Sequence, residues 1–226
     1  SMHREKDSEN ELLARAPRFR LQGEFIRDHA LAVSGLLNPM VGGPGVKPYQ
    51  PANIWNEVSL NGGLRYKQDQ GDKLYRRSMY TYWKRSSPMP NMLIFDSPSR
   101  EKCVIQRQRT NTPLQALVTL NDPQFLEAAR AFAERLLKSD ESDTAGRIDL
   151  AYRYATARLA TGREVEILTQ LYQKNLARFQ SAPETAKEFL KVGESLRDES
   201  FDASEHAAWM VVAQTIMNLD ESLTRN

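Results

Sequence analysis

Cysteine and histidine, the residues that most often bind metals or form redox centres, are scarce in this chain. One cysteine, Cys103, and three histidines occur among 226 residues. A single cysteine excludes an intrachain disulfide and any Cys-x-x-Cys metal or haem motif. Phosphate-binding Gly-rich loops and the Gly-x-Ser-x-Gly nucleophile turn are missing too. We therefore expect no cofactor and no metal in this chain, and we expect Cys103, which precedes two apolar residues, to be buried.

Long apolar runs are also missing. No stretch of eighteen apolar residues is present, so we expect no membrane span. No signal peptide is recognisable; Ser1-Met2 resembles an expression scar, and residues 1–10 are expected to form a disordered lead. The chain is 40% hydrophobic and 27% charged, a balance that can fill a core and cover it with a polar surface. Residues 11–226 are therefore expected to form a single helical domain.

What the sequence has in abundance is helical periodicity with clear start signals. Thr112-Pro113-Leu114-Gln115 and Thr161-Gly162-Arg163-Glu164 have the form of capping boxes, and Asp122-Pro123 marks another helix start. Apolar residues at three- and four-residue steps predict helices. The predicted helices are Gln22–Leu37, Pro113–Leu120, one starting at Pro123, Ile148–Leu159, Val165–Phe179, Pro183–Val192 and Ser204–Leu219. Short connections between them predict an all-α fold, mainly a helical bundle.

The segments between residues 38 and 95 are less regular. Asn38–Pro51 is so rich in glycine and proline that we expect a long irregular loop lying on the body of the protein. Pro51–Val58 is predicted to be a short helix, and Asn61–Gly63 a turn. Leu64–Gln68 could form one small hairpin across Asp69–Gly71. Met92–Phe95 is predicted to be a buried extended piece.

A basic and aromatic stretch, Lys73–Pro123, dominates the middle of the chain. A helix of about a dozen residues is predicted to follow Asp72, with an N-cap at that residue. Lys73–Arg109 contains nine basic and two acidic residues, a local net charge of +7, whereas Ser181–Asn226 has nine acidic and four basic residues, a net charge of −5. The two segments could pair with each other inside the protein, or the basic stretch could face outward and bind an anion.

An outward basic stretch with aromatic side chains suits sugar rings that bear carboxylate or sulfate, through stacking and fixed donors. The candidate ligand-binding residues are Arg76, Arg77, Tyr80, Trp83, Lys84, Arg85, Arg107 and Arg109. The competing interpretation is that the aromatics belong to the core and the arginines pair with the acidic C-terminal segment. A second function class is a polysaccharide-active enzyme, for which the candidate carboxylates are Asp28, Asp96, Glu101 and Asp122. Catalytic residues stay unassigned, and the acidic segment argues against a nucleic-acid partner.

Several strings together resemble a known family. They are RRSMYTYWKR at 76–85, CVIQRQRTNTPLQALVTLNDPQF at 103–125, YRYATARLATGRE at 152–164, AAWMVVAQTIMNLDESLTRN at 207–226, and the earlier strings at 13–39 and 42–51. The resemblance is to the C-terminal domain of unknown function in large planctomycete proteins, often called the PSD domain, and covers nearly the whole chain after Leu12. The family's strings at 107–113 and 120–123 stand here without departure.

The resemblance implies a context rather than an activity. In that family the domain often follows a cytochrome-c-like domain and another uncharacterised domain, which implies an extracytoplasmic, periplasmic or secreted, multidomain protein. Neighbouring domains of the parent protein would be its partners. The expected function is a binding or structural docking module, for which anionic polysaccharide is a candidate ligand. The family implies no catalytic residue.

Overall fold

The fold is built from α-helices, as the sequence predicts. The computed structural model describes residues 7–12, 18–56, 58 and 65–225. Its helices are α1 (Gly23–Ser34), α2 (Pro90–Ile94), α3 (Pro113–Asn121), α4 (Pro123–Leu137), α5 (Thr144–Thr156), α6 (Gly162–Ser181), α7 (Pro183–Phe189), α8 (Ala203–Met217) and α9 (Asp220–Leu223). The described residues add a two-stranded antiparallel sheet of β1 (Phe19–Arg20) and β2 (Thr224–Arg225), with Phe19 opposite Arg225.

Helix α8 is the centre of the bundle. Helices α4, α6 and α7 pack around it, and α1 packs against α4. Trp209, Met210 and Val212 on α8 are fully buried. A helix with apolar residues on most of its faces has to be enclosed by other helices, so α8 organises the C-terminal half of the fold.

The three helix starts that capping signals predict are confirmed in atomic detail, whereas α5 begins at Thr144, four residues before the predicted Ile148. Both capping boxes form. The Thr112 side chain accepts a hydrogen bond from the backbone N–H of Gln115, and the Thr161 side chain accepts one from the backbone N–H of Glu164. In return, the side chains of Gln115 and Glu164 accept from the backbone N–H of their cap residues. Asp122 caps α4 by accepting from the amide of Gln124 at 2.9 Å. These bonds satisfy helix-end donors locally, which explains why a short sequence pattern predicts them correctly.

The predicted helix after Asp72 is wrong. The chain forms two short 3₁₀ turns instead, Gly71–Tyr75 and Ser78–Tyr80, with extended backbone at Arg76. The carbonyls of Leu74 and Arg76 accept hydrogen bonds from the buried Arg27 guanidinium, at 2.7 and 2.8 Å. Bonds to a side chain of α1 thus replace the bonds that a helix would make along its own axis.

The Gly/Pro loop lies on the body of the protein, as expected. Isolated parallel bridges join Asn38 to Arg76 and Val46 to Thr81. The predicted hairpin is wrong, because the amide of Asp69 donates to the Lys47 carbonyl at 2.9 Å and pairs its segment with this loop instead.

Three smaller predictions also fail, and two fall wholly or partly outside the described residues. Residues 52–56 form turns rather than a helix, and Met92–Phe95 lies mostly in α2, which Pro90 opens as its first residue. Cys103 is exposed, because its segment crosses the surface without regular structure. Residues 1–6 of the expected disordered lead and the Asn61–Gly63 turn lie outside the described part of the chain.

Candidate functional site

The eight predicted ligand-binding residues do not form one site. Arg76 and Tyr80 hold the Gly/Pro loop, Arg77 and Arg107 pair with acids of α1, and Arg109 lies in a separate cleft. The remaining three residues, Trp83, Lys84 and Arg85, line a single cleft.

Arg76 is a structural residue rather than a surface ligand contact. It is 1% exposed, and its guanidinium donates to the carbonyls of Met40, Gly42 and Pro44. The same guanidinium stacks 4.0 Å from the ring centroid of Tyr80, whose hydroxyl accepts from the Gly42 amide at 2.8 Å. Gly42 has a φ of 81°, which lets the backbone curl around the cation. The pair therefore fixes the Gly/Pro loop.

The interpretation that these arginines pair with the acidic C-terminal segment is also wrong for the described residues. Arg107 Nη1 lies 2.9 Å from Glu24 Oε2, and Arg77 Nε lies 3.9 Å from Asp28 Oδ2, so both pair with α1. Acids of the C-terminal segment pair with basic residues from other parts of the chain, in the ion pairs Arg18–Asp220, Lys138–Asp198, Arg147–Glu205 and Arg158–Glu221.

Arg109 lies beside the small sheet. Its guanidinium is 4.5 Å from the ring centroid of Phe19, and both residues line a cleft of about 460 Å³ that also includes Arg18, Arg20 and Asp220. The ion pair of Arg18 with Asp220 partly neutralises this cleft. Arg109 is therefore separated from the cleft that holds Trp83.

The cleft that combines predicted residues is formed by the chain that leaves the second 3₁₀ turn. We call it the basic cleft. It has a volume of about 640 Å³, and its lining residues are Tyr82, Trp83, Lys84, Arg85, Ser86 and Glu101. Tyr82 is 47% exposed and presents part of its ring to solvent. The Trp83 side chain is held by a later segment of the chain: its indole N–H donates to the Ser99 carbonyl at 2.9 Å, and the Arg100 guanidinium lies 4.7 Å from its ring centroid.

Positive charge predominates in the basic cleft. Lys84 and Arg85 line it with one carboxylate, Glu101. Among the described residues neither cation forms an ion pair; Arg85 is exposed, whereas the Lys84 ammonium is buried and has no hydrogen-bond partner. That ammonium lies 4.4 Å from the ring centroid of Trp55, where the electron-rich face stabilises it. Two cations and one carboxylate among its described lining residues leave the cleft with a net positive charge, which suits an anion.

A second pocket adjoins the basic cleft, and sequence reasoning missed it. We call it the amide pocket; its volume is about 440 Å³, and its described lining residues are Gln50, Pro51, Ala52, Asn53, Trp55, Asn56, Arg65, Tyr66 and Gln68. Trp55 packs edge-on against Tyr66, with 5.3 Å between centroids, and lies 5.9 Å from the Tyr82 ring. A tryptophan in a segment without apolar periodicity was the one sequence signal for this cluster.

The candidate carboxylates of the enzyme hypothesis mostly have structural partners. Asp28 accepts from the Ser78 amide at 2.6 Å, and Asp96 accepts from the Thr110 amide at 2.7 Å. Asp122 caps α4, and burial raises the pKa of its carboxyl. Glu101 alone of the four lines the basic cleft.

A buried carboxylate that the sequence did not reveal holds the loop before α8. Oε1 of Glu127 accepts from the Tyr75 hydroxyl at 2.8 Å and from the amides of Glu194 and Ser195 at 2.8 and 2.7 Å. Burial, together with this hydrogen bond to Glu127, raises the pKa of the Tyr75 hydroxyl. Gly193, with a φ of 84°, lies directly against the carboxylate, where a larger side chain would collide with it. This contact links α4 to the loop after α7.

A protein-family model matches residues 1–172; it is described as PSD1, protein of unknown function (DUF1553). The chain belongs to the PSD1 family. The match includes both the basic cleft and the amide pocket, whereas the C-terminal string at 207–226 lies beyond it. Searches of curated proteins and of solved structures give no significant match.

Two further observations concern the described part of this PSD1 chain. No cluster of three or more histidine, cysteine, aspartate or glutamate side chains is arranged there to hold a metal ion. Within the same residues, no helix has the length and apolar character needed to cross a membrane.

Proposed function

We propose that this PSD1 domain is a binding module for anionic polysaccharide and that the basic cleft is its binding site. The observation that carries the proposal is the convergence of Lys84, Arg85 and Tyr82 in one cleft whose cations have no ion pair among the described residues. An exposed guanidinium can grip a carboxylate or sulfate with two parallel hydrogen bonds. The Tyr82 ring beside it offers a face on which a sugar ring can stack.

The geometry favours binding over hydrolysis. Glycoside hydrolysis ordinarily uses two carboxyl groups on either side of the scissile bond. Glu101 is the single carboxylate among the described residues that line the basic cleft, and Asp28, Asp96 and Asp122 are engaged in the fold. A docking module of a larger extracytoplasmic protein, beside neighbouring domains, is the setting that we propose from the resemblance.

The proposal is tested by Arg85→Gln, measured by isothermal titration calorimetry with polygalacturonate, chondroitin sulfate and neutral dextran. Arg85 is exposed, so the substitution removes a ligand contact and leaves the fold intact. Loss of one charge-assisted contact should weaken binding of both anionic polymers by about tenfold, or about 1.4 kcal/mol. Dextran should bind neither protein.

The matched control is Arg163→Gln, which removes an exposed arginine from the first turn of α6, far along the chain from the cleft. It should bind like the unchanged protein. Equal weakening by the two substitutions, or equal binding of dextran, would contradict the proposal. Tighter binding of duplex DNA than of either polysaccharide would instead indicate a nucleic-acid partner.

A further inference from the structure

The basic cleft and the amide pocket share a wall. Trp55 lines the amide pocket, and its ring contacts two residues of the basic cleft: Lys84, at 4.4 Å from the ring centroid, and Tyr82, at 5.9 Å between centroids. Lys47 completes this wall, with its ammonium 5.4 Å from the Tyr82 ring. One layer of side chains therefore separates the two cavities.

The two cavities differ in chemistry. The basic cleft presents cations, whereas the amide pocket presents four side-chain amides, those of Gln50, Asn53, Asn56 and Gln68. An amide both donates and accepts, so it matches hydroxyl and acetamido groups, which also do both. Arg65 is the pocket's one charged lining residue among those described, against four amides. Most of the pocket's polar groups therefore suit the hydroxyl and acetamido groups of an uncharged sugar.

Gln50 supplies the observation that points to a ligand. Both polar atoms of its side-chain amide are buried and make no hydrogen bond with the described residues, and the indole nitrogen of Trp55 is in the same state. Buried polar groups are ordinarily hydrogen-bonded, and an exception calls for a cause. The Gln50 side chain can rotate toward a ligand without breaking a hydrogen bond to the described residues. A hydrogen bond to the ligand therefore costs little.

We infer that the ligand of this domain is a mixed polysaccharide in which an anionic sugar is followed by an uncharged, hydroxyl- or acetamido-bearing sugar. This inference rests on the proposed function and specifies its ligand class. The anionic unit binds in the basic cleft, and the uncharged unit binds in the amide pocket on the other side of Trp55. A polymer of anionic units alone would place a second carboxylate, which only accepts hydrogen bonds, against amides that both donate and accept.

The experiment compares hyaluronan, which alternates a uronic acid with an N-acetylated neutral sugar, with polygalacturonate, which is uronic acid throughout. Titrations use the unchanged protein, Gln50→Leu, Arg85→Gln and the control Arg163→Gln. We expect hyaluronan to bind at least about tenfold more tightly, which corresponds to a few hydrogen bonds at the second sugar. Gln50→Leu should remove that advantage and leave the affinity for polygalacturonate unchanged.

The two proposals fail in different ways. If both polymers bind equally and Gln50→Leu changes neither affinity, while Arg85→Gln weakens both, the inference is overturned and the proposed function stands. If Arg85→Gln changes neither affinity, the proposed function itself fails. If Gln50→Leu lowers the melting temperature, the comparison of hyaluronan with polygalacturonate is repeated with Asn56→Ala. Asn56 is an exposed residue that also lines the amide pocket. Unchanged preference for hyaluronan in that variant would count against the inference.

Discussion

Replacing Arg27 by methionine would remove the cation around which the 3₁₀ turns are organised. Arg27 is 1% exposed, and its guanidinium donates to Oε1 of Gln124 at 2.6 Å as well as to the carbonyls of Leu74 and Arg76. A further bond reaches the Ser78 hydroxyl at 3.1 Å. Methionine keeps much of the side chain's length and apolar stem but donates nothing, so the substitution isolates the hydrogen bonds.

The expected loss of stability is a difference of two terms. The Leu74 carbonyl would keep a bond from Gln124 Nε2, at 3.5 Å. Methionine would leave the other three acceptors without their Arg27 donor, which costs about 6 kcal/mol at about 2 kcal/mol each. Burial lowers the pKa of Arg27 to about 10. The folded protein therefore holds this charge at a cost of about 3 kcal/mol, which methionine removes. The free energy of unfolding should fall by about 3 kcal/mol, the balance of these two terms.

Urea denaturation followed by circular dichroism measures this change. The matched control is Arg77→Met. Arg77 lies between Arg76 and Ser78, in the segment that Arg27 holds, but its side chain is exposed and its Nε is as far as 3.9 Å from Oδ2 of its partner Asp28. Exposed pairs of this kind contribute about 0.5 kcal/mol or less. If the two variants unfold at the same urea concentration, the buried guanidinium does not hold the turns in place, and our account of the failed helix is refuted.

Two other predictions concern the loop before α8 and the pH dependence of stability. Gly193→Ala should destabilise the fold by at least about 2 kcal/mol more than Gly42→Ala in the same urea assay, since both glycines have positive φ but only Gly193 lies against Glu127; equal losses would contradict the packing described. Burial lowers the pKa of His206, whose Nε2 donates to the Arg130 carbonyl at 3.0 Å. The unfolded chain therefore binds the proton first, and stability should be full above about pH 6.5 and fall below it. His206→Gln keeps a donor without titrating, so its melting temperature should fall less between pH 7 and pH 5; identical slopes would contradict this role.

The helical bundle could be predicted because its signals are local. Thr112 and Thr161 meet their capping partners three residues away, and the apolar residues of α4 and α8 recur at the helical period. Such contacts form within one or two turns, so they need no knowledge of the rest of the chain.

The candidate site could be predicted only in part. Three of the predicted residues, Trp83, Lys84 and Arg85, do line one cleft, because residues so close in a chain cannot be far apart in space. The sequence placed Arg76 in the same group, although that guanidinium turns inward to the carbonyls of the Gly/Pro loop. The direction of a side chain in an irregular segment depends on which distant residues it contacts. The local sequence does not specify those residues.

By itself, the sequence determined an all-α PSD1 domain, its helix starts, and a middle third rich in cations and aromatic rings. Only the tertiary structure decided which cations are held inside and which face a cleft. It also decided that Trp55, from the segment after the Gly/Pro loop, stands between the basic cleft and the amide pocket. The physical reason is that helix periodicity and capping act within a few residues, whereas enclosing a guanidinium or building a shared wall joins residues about thirty positions apart.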